Sequence, residues 1–269
     1  MQHTSHHFVT WNVNSLRTRM VHVLDFLKEH RPDVVMLQEL KCQDEQFPWE
    51  AMEDAGYQCA VYGQKSYNGV AIMSRTGLED VRRGLHADDE QARYIEAITV
   101  LDGTAYRVAS VYVPNGNEIG SDKFHYKLDF FRHLRHRLTE VAVYEESVII
   151  GGDYNCAYLP HDVYDADRLE GTLCFHPQER EAMRRILHDG YYDAVRMQHP
   201  HDPLFSWWDY RAGAFARNHG MRIDHLLLSP KAANSLKQVR IFSEERAKDK
   251  PSDHAPVGCT LIAHEDTCF

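Results

Sequence analysis

Asp253 and His254 stand side by side in "KPSDHAPV" (250–257), between two prolines and just ahead of an apolar run. A carboxylate beside an imidazole can hold a cation, or can fix the ring's tautomer and charge. Taken alone, the Ser, Asp and Pro of this stretch read first as turn residues. Other polar residues share the placement. Asn12 and Asn14 close "FVTWNVN", Gln38 and Glu39 close "VVMLQE", and Tyr112 and Asn115 close "VYVPN". Asp153 and Asn155 close "IIGGDYN", and Asp224 opens "DHLLLS". Each one singly has an ordinary role as a cap, turn or surface residue. As a set they are carboxylates, carboxamides, a phenol and an imidazole, with no cysteine among them. Such oxygen-rich donors suit a hard cation, Mg²⁺ or Mn²⁺. A hard cation with a His–Asp pair, a Tyr and an Asn suits phosphoryl chemistry, where positioning and charge stabilisation carry the catalysis.

The elements that must position these groups are short β-branched runs. They fall at 8–13, 33–39, 69–75, 94–100, 106–113, 147–155, 223–229, 239–243 and 256–262. Their composition predicts strands, several buried on both faces. Helical spacing predicts helices over 15–30, stopped by Pro32, over 121–144, and over 176–190, where Pro177 opens and Gly190 closes. Strands outnumber helices, and no Pro/Gly-rich linker or composition break divides the chain. The pattern predicts an α/β fold with two mixed sheets packed face to face and helices outside.

The chain has 269 residues, with 43% hydrophobic and 26% charged, ordinary for a globular protein. A single domain over 1–269, with its core at about 8–262, is expected. No apolar run approaches the ~20 residues of a membrane span, and the N-terminus lacks a signal-peptide pattern. A cytoplasmic protein with no membrane partner is expected. The six cysteines form no CxxC pair, so free thiols are expected in place of a zinc ribbon or disulfide framework. A net charge of −10 argues mildly against a nucleic-acid partner, unless several of the acids converge on metal. The early "HTSHH" (3–7) reads as a frayed terminus, with a metal-binding tract as the alternative.

Eight stretches in order, "WNVNSLR", "LQELK", "YNGVAIMSR", "VYVPNG", "GGDYN", "FSWWDYR", "RIDHLLLS" and "PSDHAPV", resemble the motif series of the exonuclease III / AP endonuclease family. That family belongs to the wider exonuclease–endonuclease–phosphatase superfamily, and the resemblance runs from Phe8 to Ile262. It implies a four-layered α/β sandwich. It also implies a monomeric DNA-repair nuclease dependent on Mg²⁺ or Mn²⁺ and acting on double-stranded DNA. Such an enzyme hydrolyses phosphodiester bonds as a 3′–5′ exonuclease and at abasic sites, leaving 3′-hydroxyl ends.

By the same resemblance, the metal set is Asn12, Glu39, Asp153, Asn155, Asp253 and His254. Tyr112, Asp153, Asn155, Asp224 and His254 are catalytic. Asp153 either activates the attacking water or holds metal. Asn155 and Tyr112 meet the phosphate, and His254, oriented by Asp224, donates to a phosphate oxygen. Asn115, Cys174, Phe175, Trp207 and Met221 border a pocket for DNA and an abasic sugar, and Trp208 stands beside them. A small residue such as Cys174 before the Phe is expected to admit internal abasic sites. Lys41, Lys65 and Arg211 could touch phosphates or remain solvated surface charges.

Three other readings are weighed. One is an enzyme mainly of 3′ ends and 3′-phosphates with little abasic activity. A second is a phosphoinositide or sphingolipid phosphodiesterase, which would need a lipid-facing surface or an added domain. The third is a catalytically inactive DNA-binding protein, which would show loss of Glu39, Asp153, Asn155, Asp224 or His254.

Overall fold

The structure, a computed structural model, describes residues 4–87 and 89–263. Strands β1 (Ser5–Asn12), β2 (Val34–Gln38), β3 (Gln58–Tyr62), β4 (Val70–Ser74), β11 (Leu236–Ile241) and β12 (Val257–Ile262) form one sheet in the order β11-β12-β1-β2-β4-β3. Strands β5 (Glu79–Arg83), β6 (Tyr94–Leu101), β7 (Thr104–Tyr112), β8 (Ser147–Asp153), β9 (Tyr192–Asp193) and β10 (Asp224–Leu228) form the other, in the order β5-β6-β7-β8-β10-β9. Each sheet has one parallel pair, β1 with β2 and β7 with β8, among antiparallel neighbours.

Alternation along the strands separates the layers. In β1, Phe8 faces the second sheet, where it joins Met36, Ile72, Val108, Ile149 and Leu226 in a core between the sheets. Val9 and Trp11 point the other way, toward α1 (Met20–His30) and α2 (Trp49–Asp54). Helices α3 (Asp122–Ala142) and α5 (Pro177–His188) cover the second sheet through Phe131, Leu134, Leu138, Met183 and Ile186. Each such apolar side chain, fully buried, contributes about 1.5–3 kcal/mol. The result is helix, sheet, sheet, helix, the four-layered sandwich expected from the sequence. Short helices α4 (Ala166–Leu169), α6 (Ala194–Gln198) and α7 (Pro230–Ala233) lie in the connections.

Two devices hold the sheets at close range. Gly151 lies where an added Cβ would meet Met36 and Thr10 at 2.8–2.9 Å, so a side chain there would push the layers apart. Nearby, Gln38 Nε2 donates across the gap to Ser110 Oγ at 2.9 Å, and Ser110 Oγ donates to Leu37 O at 2.8 Å. A second polar group lies behind β10. Arg222, fully buried, donates to Asp162 at 2.8 Å and to Asp193 at 2.7 Å. Burial alone would raise both carboxyls; the Arg222 guanidinium more than offsets it and holds them below the ordinary carboxylate range.

The helix expected over 15–30 begins only at Met20. Asn14 and Ser15 have φ of 44° and 86°, so the chain turns after β1 before helix can propagate. The frayed N-terminus is corrected for residues 5–7, which belong to β1. There His6 is buried, with Nδ1 3.0 Å from Tyr106 Oη and Nε2 3.1 Å from Asp102. His3 lies outside the described residues.

Candidate active site

Register brings the polar strand ends together. In the second sheet, Tyr112 is the direct partner of Asp153, and Asp153 of Asp224, so three functional groups form one row across β7, β8 and β10. In the first sheet, Asn12 is paired with Gln38, which puts Glu39 one residue past the end of β2. Glu39 has φ 55°, a left-handed conformation that turns its carboxylate inward from the strand. His254 arrives from the loop before β12. Its position is held by Trp11 Nε1, which donates to His254 O at 3.2 Å, and by Ser252 Oγ, which donates to Asn12 O at 2.7 Å.

These groups meet in one knot. Asn12, fully buried, donates from Nδ2 to Glu39 Oε1 and to Asp153 Oδ2, both at 2.9 Å. Tyr112 Oη donates to Glu39 Oε1 at 2.9 Å, and Lys41 Nζ is 2.9 Å from Glu39 Oε2. Asn155 donates its backbone N–H to Asp153 Oδ1 at 2.8 Å and its side-chain amide to Val113 O at 3.0 Å. His254 Nδ1 lies 2.9 and 3.0 Å from the two Asp224 oxygens, and its Nε2 faces Asp153 Oδ2 at 3.7 Å. Asp224 is itself fixed by Ser206 Oγ, which donates to it at 2.6 Å. Ser206 was missed in the sequence; it is the Ser of "FSWWDYR", ahead of the tryptophans that drew attention.

The electrostatics follow from this crowding. Burial would raise the Glu39 carboxyl, and Lys41 with Asn12 more than offsets it, holding the group below the ordinary range. Burial pushes the Asp153 carboxyl up to about 7, helped by Asp224 and opposed by His254. Burial would lower the His254 ring, yet Asp224 and Asp153 raise it to about 10, which favours the imidazolium. One ligand atom from each of Glu39, Asp153 and His254 lies within 4.8 Å of the others. Two acids with a carboxamide bridging them fit a hard cation, because the Asn12 amide already stands between charges that repel each other.

Asp253 adjoins His254 in sequence but stands outside the Glu39, Asp153 and His254 group, with contacts of its own. Its Oδ2 accepts from Trp207 Nε1 at 3.0 Å and its Oδ1 from Asn14 Nδ2 at 2.9 Å. Neighbouring residues in an extended segment point to opposite sides, so the acid and the imidazole face different partners.

The expected pocket residues divide. Asn115 is exposed and donates to Asn155 Oδ1 at 3.0 Å. Cys174 Sγ lies 3.8 Å from that oxygen, beside the Asn115 and Asn155 carboxamides. Cys174 and Met221 sit at the edge of an apolar cluster with Ala157, Val163 and Ile223, and the half-buried Trp207 packs against it. Phe175 is fully buried with Arg180 over its ring at 4.4 Å, so it backs this wall and offers no binding surface. Trp208 is core, packed with Phe205, Ala214 and Ala255. Arg211 is exposed and paired with Asp209 at 2.8 Å, and Lys65 is exposed. Among the described residues, no helix is long and apolar enough to cross a membrane.

Comparison with known proteins agrees with this geometry. Residues 9–254 match the model of the Endonuclease/Exonuclease/phosphatase family. The exodeoxyribonuclease III of Haemophilus influenzae is 35% identical over 260 residues, which cover 93% of this chain and 97% of that protein. Among solved structures, a 3′ phosphatase from Neisseria bound to a product DNA hairpin superposes with a TM-score of 0.92 at 39% identity, covering 96% of this chain and all of that one. An AP endonuclease from Archaeoglobus fulgidus superposes with a TM-score of 0.91 at 35% identity and the same coverage.

Proposed function

The chain belongs to the endonuclease/exonuclease/phosphatase family and is a phosphodiester hydrolase of the DNA-repair nuclease kind; on that premise we propose that it acts on duplex DNA with Mg²⁺ or Mn²⁺. Its substrates are recessed 3′ ends and internal abasic sites, and its products carry 3′-hydroxyl groups. We take residues 1–269 as one domain, with its core at about 8–262, and the protein as a monomer.

The observation that carries this reading is the convergence of Asn12, Glu39, Tyr112, Asp153, Asn155, Asp224 and His254 from both sheets onto one knot. Glu39 and Asp153 would hold the cation, with the Asn12 carboxamide rotated to offer its oxygen. The cation supplies charge neutralisation and a more acidic water when bound. His254, held protonated by Asp224, donates to a phosphate oxygen; a ring protonated on both nitrogens is a donor and not a ligand. Asn155 and Asn115 present carboxamide N–H groups to the developing charge of the phosphorane. Trp207, Met221 and Cys174 cover the apolar face of a sugar turned out of the duplex.

One purified preparation, assayed with and without EDTA on a recessed 3′ end, an internal abasic analogue and a 3′-phosphate, tests this. Cleavage of the first two in Mg²⁺ and of none in EDTA is expected. Full activity in excess chelator would refute the reading, and cleavage of the 3′-phosphate alone would refute its substrate range.

A further inference from the structure

Helix α3 turns the apolar stripe Phe124, Phe131, Leu134, Leu138 and Val141 toward the second sheet, and Lys127 interrupts it. Lys127 is fully buried. Burying an ammonium is costly unless each of its donors is matched, and an apolar residue would fill the stripe without that cost. Here all three N–H donors are matched. Lys127 Nζ donates to Asn155 O at 2.7 Å, to Asn115 O at 3.1 Å and to Glu179, also fully buried.

The partners belong to the three segments that border the site. Asn155 follows β8 and has φ 47°. Asn115 follows β7, and the turn beyond it lies against the lysine stem, where a Cβ on Gly116 would stand 3.2 Å from Lys127 Cδ. Glu179 accepts from Cys174 N at 3.3 Å and from His176 N at 2.9 Å, which fixes the loop entering α5. One buried ion pair therefore sets the backbone beneath Asn115, Asn155 and Cys174 together.

We infer that Lys127, with Glu179, is a positioning residue that fixes where Asn115 and Asn155 present their carboxamides to the reacting phosphate. It touches no substrate and acts through those backbones. The inference rests on the functional reading above, in which Asn155 meets the phosphate.

The test is a double-mutant cycle between Asn155→Ala and the pair replacement Lys127→Met/Glu179→Gln, which leaves no unpaired charge. Turnover and KM are measured on a recessed 3′ end, with thermal unfolding measured in parallel. The pair replacement should lower kcat roughly 10- to 100-fold, the size expected for a small misplacement of reacting groups, and leave KM unchanged. In the Asn155→Ala background the same replacement should lower kcat by much less, since only the positioning of Asn115 is then left to lose. Wild-type kcat in the folded pair replacement, or an equal loss in both backgrounds, would overturn the inference. Wild-type kcat in Asn155→Ala alone would instead overturn the functional reading. Should the pair replacement fail to fold, Lys127→Gln/Glu179→Gln carries the same cycle: the glutamine in place of Lys127 brings two N–H donors to three acceptors, no charge is left unpaired, and the same pattern of loss is expected.

Discussion

Replacing Arg222 with Met should cost a large share of the protein's stability while removing no group that meets substrate. The guanidinium is fully buried and bonds Asp162 at 2.8 Å and Asp193 at 2.7 Å. After the change Asp162 keeps Arg196, whose NH2 group is 2.5 Å away. Asp193 keeps Tyr158 Oη at 2.9 Å, Val195 N at 3.0 Å and the His225 ring, whose Nδ1 is 3.4 Å away. The variant is therefore left with one buried carboxylate that has lost its guanidinium partner. Breaking such a pair costs about 3–5 kcal/mol. For a chain of this size that is a fall of roughly 5–9 °C in Tm.

The sign with pH follows from the depressed carboxyls. A carboxyl held below its unfolded value of about 3.9 stabilises the fold above that pH, and the contribution is lost on acidification. In the variant, burial is no longer offset and the Asp193 carboxyl rises. The stability gap between the two proteins should be widest at neutral pH and shrink as pH falls, because a protonated Asp193 needs no guanidinium. Urea unfolding monitored by tryptophan fluorescence, at neutral and acidic pH, measures both quantities. A loss below about 1 kcal/mol at neutral pH, the range of an exposed pair, would refute the claim that this network bears on stability. A gap that widened on acidification would refute its electrostatic origin.

Three further outcomes are expected. Asp153→Asn and His254→Ala should each lower kcat by roughly 10²- to 10⁴-fold, the usual range for acid–base or charge-stabilising groups. Fluorescence anisotropy should show that both still bind duplex DNA, and near-wild-type turnover in either would exclude it from the chemistry. Cys174→His should reduce incision at an internal abasic analogue far more than digestion of a recessed 3′ end, since the larger ring enters the space beside Asn155 and Met221; equal loss on both substrates would exclude Cys174 from the sugar pocket. Burial pushes the thiols of Cys59, Cys174 and Cys259 up to about 12, so iodoacetamide at neutral pH should leave all three unmodified in the native protein, as read by peptide mass mapping.

Much of this was legible in the sequence, because the sandwich is built from strands whose two faces are both covered. Runs such as "VVMLQ" and "SVIIGGD" are apolar throughout for that reason, and their polar ends mark the site. The strands left unread are those without such burial. β5 is a charged edge, "EDVRR", β9 is two residues long, and β3 begins with an exposed Gln58. The contacts of Asp253 with Trp207 and Asn14 were not legible, because the sequence does not say which side of an extended segment faces which neighbour. Lys127 was within reach, since a lysine on an otherwise apolar helical stripe asks for a buried partner. Glu179 was visible only as a capping residue of α5, where it receives the His176 N–H.

Strand order has a consequence for synthesis. β1 lies between β2, made soon after it, and β12, made long after it, while all of the second sheet is made in between. His254, together with Ser252, reaches the site only from the loop leading into β12. A nascent chain can thus carry Asn12, Glu39, Tyr112, Asp153 and Asp224 and still lack the imidazolium and the strand that seals the edge of β1. Until residues 252–262 emerge, that edge offers unpaired backbone groups to any neighbouring chain. On the proposed function cutting activity then waits for β12 to be in place, and a partly made copy is exposed to aggregation at that edge.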